Sequence, residues 1–187
     1  MAKAGAIDKG MVLLFRGEPH LVTEREHHSP GKGQAVVRLR LKNLLNGSVL
    51  KETVKAHDQL QEANVHEQDG QFLFADDSGL HFMDTETYEQ FTIPTDGLGD
   101  KKSYMKEGQS YKLLVWEERP IDITLPFKEQ YQVTEAPQAV RGDTVTGAAK
   151  SVTLETGLTI KAPIFIKEGD TVLVSTQTGE YVERVSG

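Results

Sequence analysis

The sequence predicts an all-β fold of small barrels, and three observations lead there. Apolar residues recur at every second position in short runs, the pattern of half-buried strands. Turn signals separate the runs: Asn46-Gly47, Asp69-Gly70, the Asp76-Asp77-Ser78-Gly79 cluster, Glu107-Gly108, Gly169-Asp170 and Thr178-Gly179. No strand alternates with a long helical pattern, which sets aside doubly wound sheets and βα-barrels. Closure into barrels follows, because it removes the edges that many short strands would otherwise expose.

Along the chain, Glu24 to Ser29 reads as the ascending arm of a hairpin with Pro30-Gly31-Lys32-Gly33 at its tip. Pro30 presets φ for the second position of a turn and Gly31 permits positive φ at the third, a type II pattern. Gly33 frees the chain to re-enter a strand. In that strand Val37, Leu39 and Leu41 alternate with Arg38, Arg40 and Lys42, so three aliphatics line one face and three cations the other. Further strands are expected at 48–55, 71–75, 79–83, 111–117, 121–125, 171–176 and 180–185. One short helix is expected from Asp100 to Lys106, ending at Gly108. A charge shift near residue 63 and a break at Pro126-Phe127 divide the chain into 1–63, 64–126 and 127–187. Units of this size are near the lower limit for an independent core and lean on their neighbours. The sequence shows no internal repeat.

Composition narrows the function classes. The 187 residues are 37% hydrophobic and 26% charged, with no cysteine, which excludes disulfides and thiolate metal sites. No run approaches the ~18 apolar residues of a membrane span, and the N-terminus lacks a signal-peptide core, so a cytoplasmic protein without a membrane partner is expected. The net charge of −7 is uneven: +3 over 1–63, −8 over 64–126 and −2 over 127–187. Such a chain is a poor indiscriminate nucleic-acid binder, but its basic first third can dock to RNA in one orientation.

Catalytic and metal signatures fail one by one. Lys32 is followed by Gly33 and lacks the upstream glycine, so it makes no phosphate-binding P-loop. His27 and His28 are adjacent on a strand and point to opposite faces, which argues against a metal pair. Asp76-Asp77 and Asp84-Thr85-Glu86 sit beside turn residues and read as solvated loops rather than paired carboxylates for glycoside cleavage. There is no nucleophile elbow. No enzyme, metal or cofactor is expected. On geometry alone Lys32 is either an idle turn lysine or an ammonium presented to whatever the hairpin enters.

The residues, taken together, resemble bacterial translation elongation factor P over essentially the whole chain. The resemblance rests on Pro30-Gly31-Lys32-Gly33 followed by Gln34-Ala35, on "LKNLLNGSV" (41–49) and "FMDTETYEQ" (82–90), and on Gly142-Asp143-Thr144. It continues through "TLETG" (153–157), "PIFIKEGD" (163–170) and "TGEYVERV" (178–185). It implies an L-shaped, tRNA-like molecule with an SH3-like, KOW-like barrel followed by two OB-folds. It implies a likely monomeric, non-enzymatic factor that binds the 70S ribosome, its ribosomal RNA and peptidyl-tRNA, and relieves stalling at consecutive prolines. The tip Lys32 would reach the CCA end, and a modifying enzyme would extend it; the Gly-Lys-Gly-Gln-Ala context resembles the β-lysylated type.

Other roles carry over by position. Gly142, Asp143 and Thr144 match a loop near the exit-site codon of the messenger. Tyr181 and Arg184 match a C-terminal contact to ribosomal RNA or tRNA, although three residues apart on a strand they face opposite sides unless a bulge intervenes. Arg38, Arg40 and Lys42 offer a face for tRNA phosphates. The chain departs from the family pattern at Ala148-Ala149-Lys150-Ser151, where glycine or threonine and then proline are usual. The competing readings are a paralogue serving other stalling motifs, a generic RNA-binding module of KOW and OB barrels, and, most distantly, a sugar-cleaving enzyme.

Overall fold

A computed structural model of the chain describes residues 1–29, 34–138 and 149–185. The protein is all-β, with strands β1 (Ala2–Lys3), β2 (Val12–Phe15), β3 (Glu18–His28), β4 (Val36–Asn43), β5 (Val49–Lys55) and β6 (Gln59–Leu60) in its first third. β7 (Val65–Asp76), β8 (Gly79–Asp84), β9 (Gln90–Ile93), β10 (Ser110–Trp116) and β11 (Arg119–Thr124) follow. β12 (Lys128–Glu135), β13 (Ala149–Leu154), β14 (Thr159–Pro163), β15 (Thr171–Ser175) and β16 (Tyr181–Val185) complete it. All the ladders are antiparallel, in the orders β2-β3-β4-β5, β11-β10-β7-β8-β9 and β14-β13-β12-β15-β16, with a small β1-β6 pair. The ends of each five-stranded sheet approach each other, β9 to β11 and β14 to β16, which is how a coiled sheet closes on its core. No helix among the described residues is long and apolar enough to cross a membrane.

Two compact units result. One comprises residues 1–99 and 107–124, the other 100–106 and 125–187. In the first, Ile7, Leu13, Val22, Val37, Leu39 and Leu41 are buried together, so the aliphatic face expected of β4 is its core face. In the second, Tyr131, Val133, Val152, Leu154, Ile160, Ile166, Val172 and Val174 form the core, with Tyr104 packed against it. The helix expected over 100–106 is a short 3₁₀ segment, Gly99–Tyr104. Its role there is to deliver Tyr104 and the buried Met105 to the second core. The hydroxyl of Tyr131 donates to the Tyr104 carbonyl at 2.6 Å.

The Asp69-Gly70 turn signal was misleading, because β7 runs straight through it and Gly70 is buried. Gly70 gives no turn; it gives room. A Cβ at this position would occupy the space of Leu113 Cδ1 on the neighbouring β10. Glycine inside a strand marks such a close approach as readily as it marks a turn.

One hairpin turn occurs three times. In each, a side-chain oxygen at the first residue accepts backbone N–H groups within the turn: Asn43 Oδ1 from Leu45 and Asn46, Asp84 Oδ1 from Glu86 and Thr87, and Ser175 Oγ from Thr178. The same residue's carbonyl accepts from the amide four positions on, Gly47, Tyr88 or Gly179. Its own amide donates to the carbonyl five positions on, Ser48, Glu89 or Glu180. The fourth position needs a left-handed backbone: φ is 74° at Gly47, 73° at Gly179 and 62° at Tyr88. For a residue with a Cβ that conformation costs about 1 kcal/mol or more. The Asn43 turn also packs backbone on backbone. A Cβ on Gly47 would meet the Asp96 carbonyl oxygen at 2.6 Å, and one on Gly97 would run into the Leu44 carbonyl.

Candidate functional site

The arm expected beneath Lys32 is present up to its last pair. β3 and β4 are in register from His20 opposite Asn43 to His28 opposite Val36. Pro30, Gly31, Lys32 and Gly33 lie outside the described residues. The ladder skips Thr23, and that single bulge inverts the alternation of β3. Val22, opposite Leu41, is buried in the core; beyond the bulge Glu24 and Glu26 lie opposite Arg40 and Arg38 on the outer face. Arg25 takes the inner face across from Leu39, where its Nη2 donates to the Gly5 carbonyl at 2.9 Å. The Thr23 hydroxyl donates to the Arg40 carbonyl at 3.0 Å.

The cation face is therefore a mixed one. Arg40 Nη1 lies 2.7 Å from Glu24 Oε1, and Arg38 Nη1 lies 3.9 Å from Glu26 Oε2. These charges share a shallow groove with Lys51 and Glu52. All four partners are substantially exposed, so each pair contributes under about 1 kcal/mol and opens readily to a competing phosphate. Lys42 has no ion pair among the described residues. The glutamates were missed in sequence because their partnership depends on the register of β3 against β4; "EREHH" shows an alternation of charge but not what lies across from it.

At the C-terminus the expected obstacle is removed by the structure itself. β15 pairs Val172 with Arg184, Leu173 with Glu183 and Val174 with Tyr181, leaving Val182 as a bulge. Tyr181 and Arg184 consequently share a face of β16, opposite the buried Val174 and Val172. Tyr181 packs against the core of its unit. The Arg184 guanidinium lies 5.8 Å from the Phe165 ring centroid and 3.9 Å from an Asp170 carboxylate oxygen. Gly142, Asp143, Thr144 and Ala148 lie outside the described residues, whereas Ala149, Lys150 and Ser151 open β13.

The acidic clusters are turn-builders. Asp76 Oδ1 accepts from the amide and hydroxyl of Ser78 and lies 3.0 Å from His81 Nε2. The Ser78 hydroxyl, followed by His81, holds the Asp76 carboxyl far below the usual range. The Thr87 and Glu86 amides, assisted by the Gln68 side chain, likewise depress Asp84. His81 stacks on the half-exposed Phe74 at 4.4 Å. His27 shares a hydrogen bond with the Ser29 hydroxyl at 2.9 Å. Among the described residues no group of three or more histidines, aspartates or glutamates could hold a metal ion.

Comparison with known proteins agrees across the chain. Three family models match in tandem: Elongation factor P (EF-P) KOW-like domain over residues 3–60, Elongation factor P (EF-P) OB domain over 65–123, and Elongation factor P, C-terminal over 130–184. A protein of Treponema denticola named Elongation factor P is 45% identical over 186 residues, covering 100% of both chains. One of Borrelia duttonii with the same name is 50% identical, covering 98% of this chain and 97% of its own. Among solved structures, a eukaryotic translation initiation factor 5A from Methanococcus jannaschii superposes with a TM-score of 0.53 at 18% identity. It covers 66% of this chain and 90% of that one, a likeness of fold alone.

Proposed function

Since this chain belongs to the elongation factor P family and is a translation elongation factor, we propose that it binds the ribosome beside peptidyl-tRNA and speeds peptide-bond formation between consecutive prolines. The arm formed by β3 and β4 directs Lys32 toward the CCA end of the peptidyl-tRNA. The observation that carries this reading is the unbroken pairing beyond the Thr23 bulge, from Glu24 opposite Arg40 to His28 opposite Val36. It brings the two strands to the tip segment side by side, fixing the position from which Lys32 starts.

The factor supplies position rather than chemistry. Proline is a slow acceptor, and an ester carbon held at the wrong angle reacts slowly whatever the catalyst. Restricting the CCA end converts lost orientational freedom into rate; tenfold needs only ~1.4 kcal/mol, and positioning can supply several times that. The Lys32 ammonium adds charge-assisted hydrogen bonds to phosphate or ribose oxygens, and an enzymatic extension of the side chain lengthens its reach. Ribosomal RNA remains the catalyst, and the factor is not an enzyme.

The remaining positions support this placement. Lys42 contacts tRNA phosphate, and Arg38 and Arg40 do so by exchanging their glutamates for it. Gly142, Asp143 and Thr144 meet the messenger on the codon side, with Ala148 to Ser151 altering that loop's backbone preference. Tyr181 and Arg184, now on one face, form one RNA contact. The functional division is 1–63, 64–126 and 127–187, and the factor acts as a monomer in the cytoplasm.

The test is tri-proline synthesis in a reconstituted translation system, with protein from its native source and its Lys32→Ala variant. The expected result is a large acceleration that the variant loses while keeping ribosome binding. Equal acceleration by both proteins would overturn the role of Lys32. No ribosome binding by the native protein would overturn the placement as a whole.

A further inference from the structure

The left-handed slot shared by the three turns is filled by Gly47, Gly179 and Tyr88. The first two have no Cβ to strain. Tyr88 has a large ring, is 71% exposed, and its side chain forms no hydrogen bond or ring contact among the described residues. It therefore receives nothing from the fold in return for an unfavourable backbone, and a glycine would serve the turn better. Strain kept at an exposed aromatic indicates a contact made outside the chain, because tyrosine is a residue type on which interfaces concentrate their affinity.

The surroundings indicate the partner's charge. Glu86 and Glu89 flank Tyr88 and are exposed, while the Asp84 carboxylate is turned back into the turn. Residues 64–126 carry a net −8. Phosphate is repelled by such a surface, whereas lysine and arginine are attracted to it and can also lay a cation over the tyrosine ring.

We propose that Tyr88, with Glu86 and Glu89, is a docking site for a basic protein surface on the ribosome; this rests on the ribosome-binding reading above. Tyr88 anchors, and the two glutamates steer and orient.

The full-length protein and its Tyr88→Gly variant separate this site from a structural role. The variant's Tm is expected to equal or exceed that of the native protein, while its Kd for 70S ribosomes weakens at least tenfold. A photocrosslinking aromatic at position 88 is expected to label a ribosomal protein. Unchanged affinity in Tyr88→Gly, a loss of affinity accompanied by a lower Tm, or crosslinks to RNA alone would each overturn the proposal. Failure of the native protein to bind ribosomes is a different result, and would count against the underlying reading.

Discussion

Removing one oxygen tests how the 100–106 segment is held in the second unit. Tyr131 is completely buried, and its hydroxyl donates to the Tyr104 carbonyl at 2.6 Å. Tyr131→Phe keeps the ring and the Lys106 ammonium 5.4 Å from its centroid, so packing is preserved and the hydroxyl alone is lost. A net hydrogen bond is worth about 1 kcal/mol, and a partly buried carbonyl left without this donor adds a fraction of its desolvation cost. The expected total is about 1.5 kcal/mol, roughly a tenfold shift in the unfolding equilibrium. For a unit of this size the thermal midpoint should fall by about 6–12 °C. Calorimetry would report that fall, and hydrogen exchange would report faster opening at the Met105 amide, which is bonded to the Lys102 carbonyl. A midpoint within about 1 °C of the native protein, with exchange at Met105 unchanged, would refute the reasoning. The segment would then be held by side-chain packing alone.

Two further substitutions test other features. Gly70→Ala should destabilise the first unit by about 1–2 kcal/mol, overpacking against Leu113 outweighing the gain from a stiffer unfolded chain; denaturant unfolding checks this, and Leu113→Val should recover part of the loss in the double variant. The carboxyl of Asp84 is depressed, so the stability it provides is complete above its ordinary pKa of about 3.9 and is lost as pH falls through the lower folded value. Asp84→Asn, which installs the residue type that Asn43 already uses in the equivalent turn, should therefore flatten stability against pH below about 4. Urea melts at a series of pH values would show an unchanged slope if Asp84 were not the group responsible.

The alternation of Val37, Leu39 and Leu41 was enough to find the core face of β4, because period-two burial is written directly into the residues. The bulges at Thr23 and Val182 were not legible. Each depends on pairing between strands, and a one-residue slip reverses every side chain beyond it. That is why Arg38 and Arg40 acquired glutamate partners that the sequence did not reveal, and why Tyr181 and Arg184 came to one face. The repeated turn was hidden for another reason. Asn43, Asp84 and Ser175 share only a side-chain oxygen, and Gly47, Tyr88 and Gly179 share only a backbone angle, so "NLLNGS", "DTETYE" and "STQTGE" bear little resemblance as strings. Gly70 was misread because one glycine can satisfy either a turn or a tight crossing.

The close approach of Gly47 and Gly97 has a consequence for angular precision. It lies at the foot of the arm, where Asn43 pairs with His20 and the Leu44 amide donates to the Pro19 carbonyl. From there β3 runs 11 residues to His28, about 35 Å at ~3.3 Å per residue. A rotation of one degree at the foot would swing the far end by about 0.6 Å, comparable to the misplacement that costs a positioned reaction much of its rate. Side chains in such a joint could re-pack and let the lever drift. Main chain against main chain has no rotamers to exchange, so the angle is set by atoms that cannot yield.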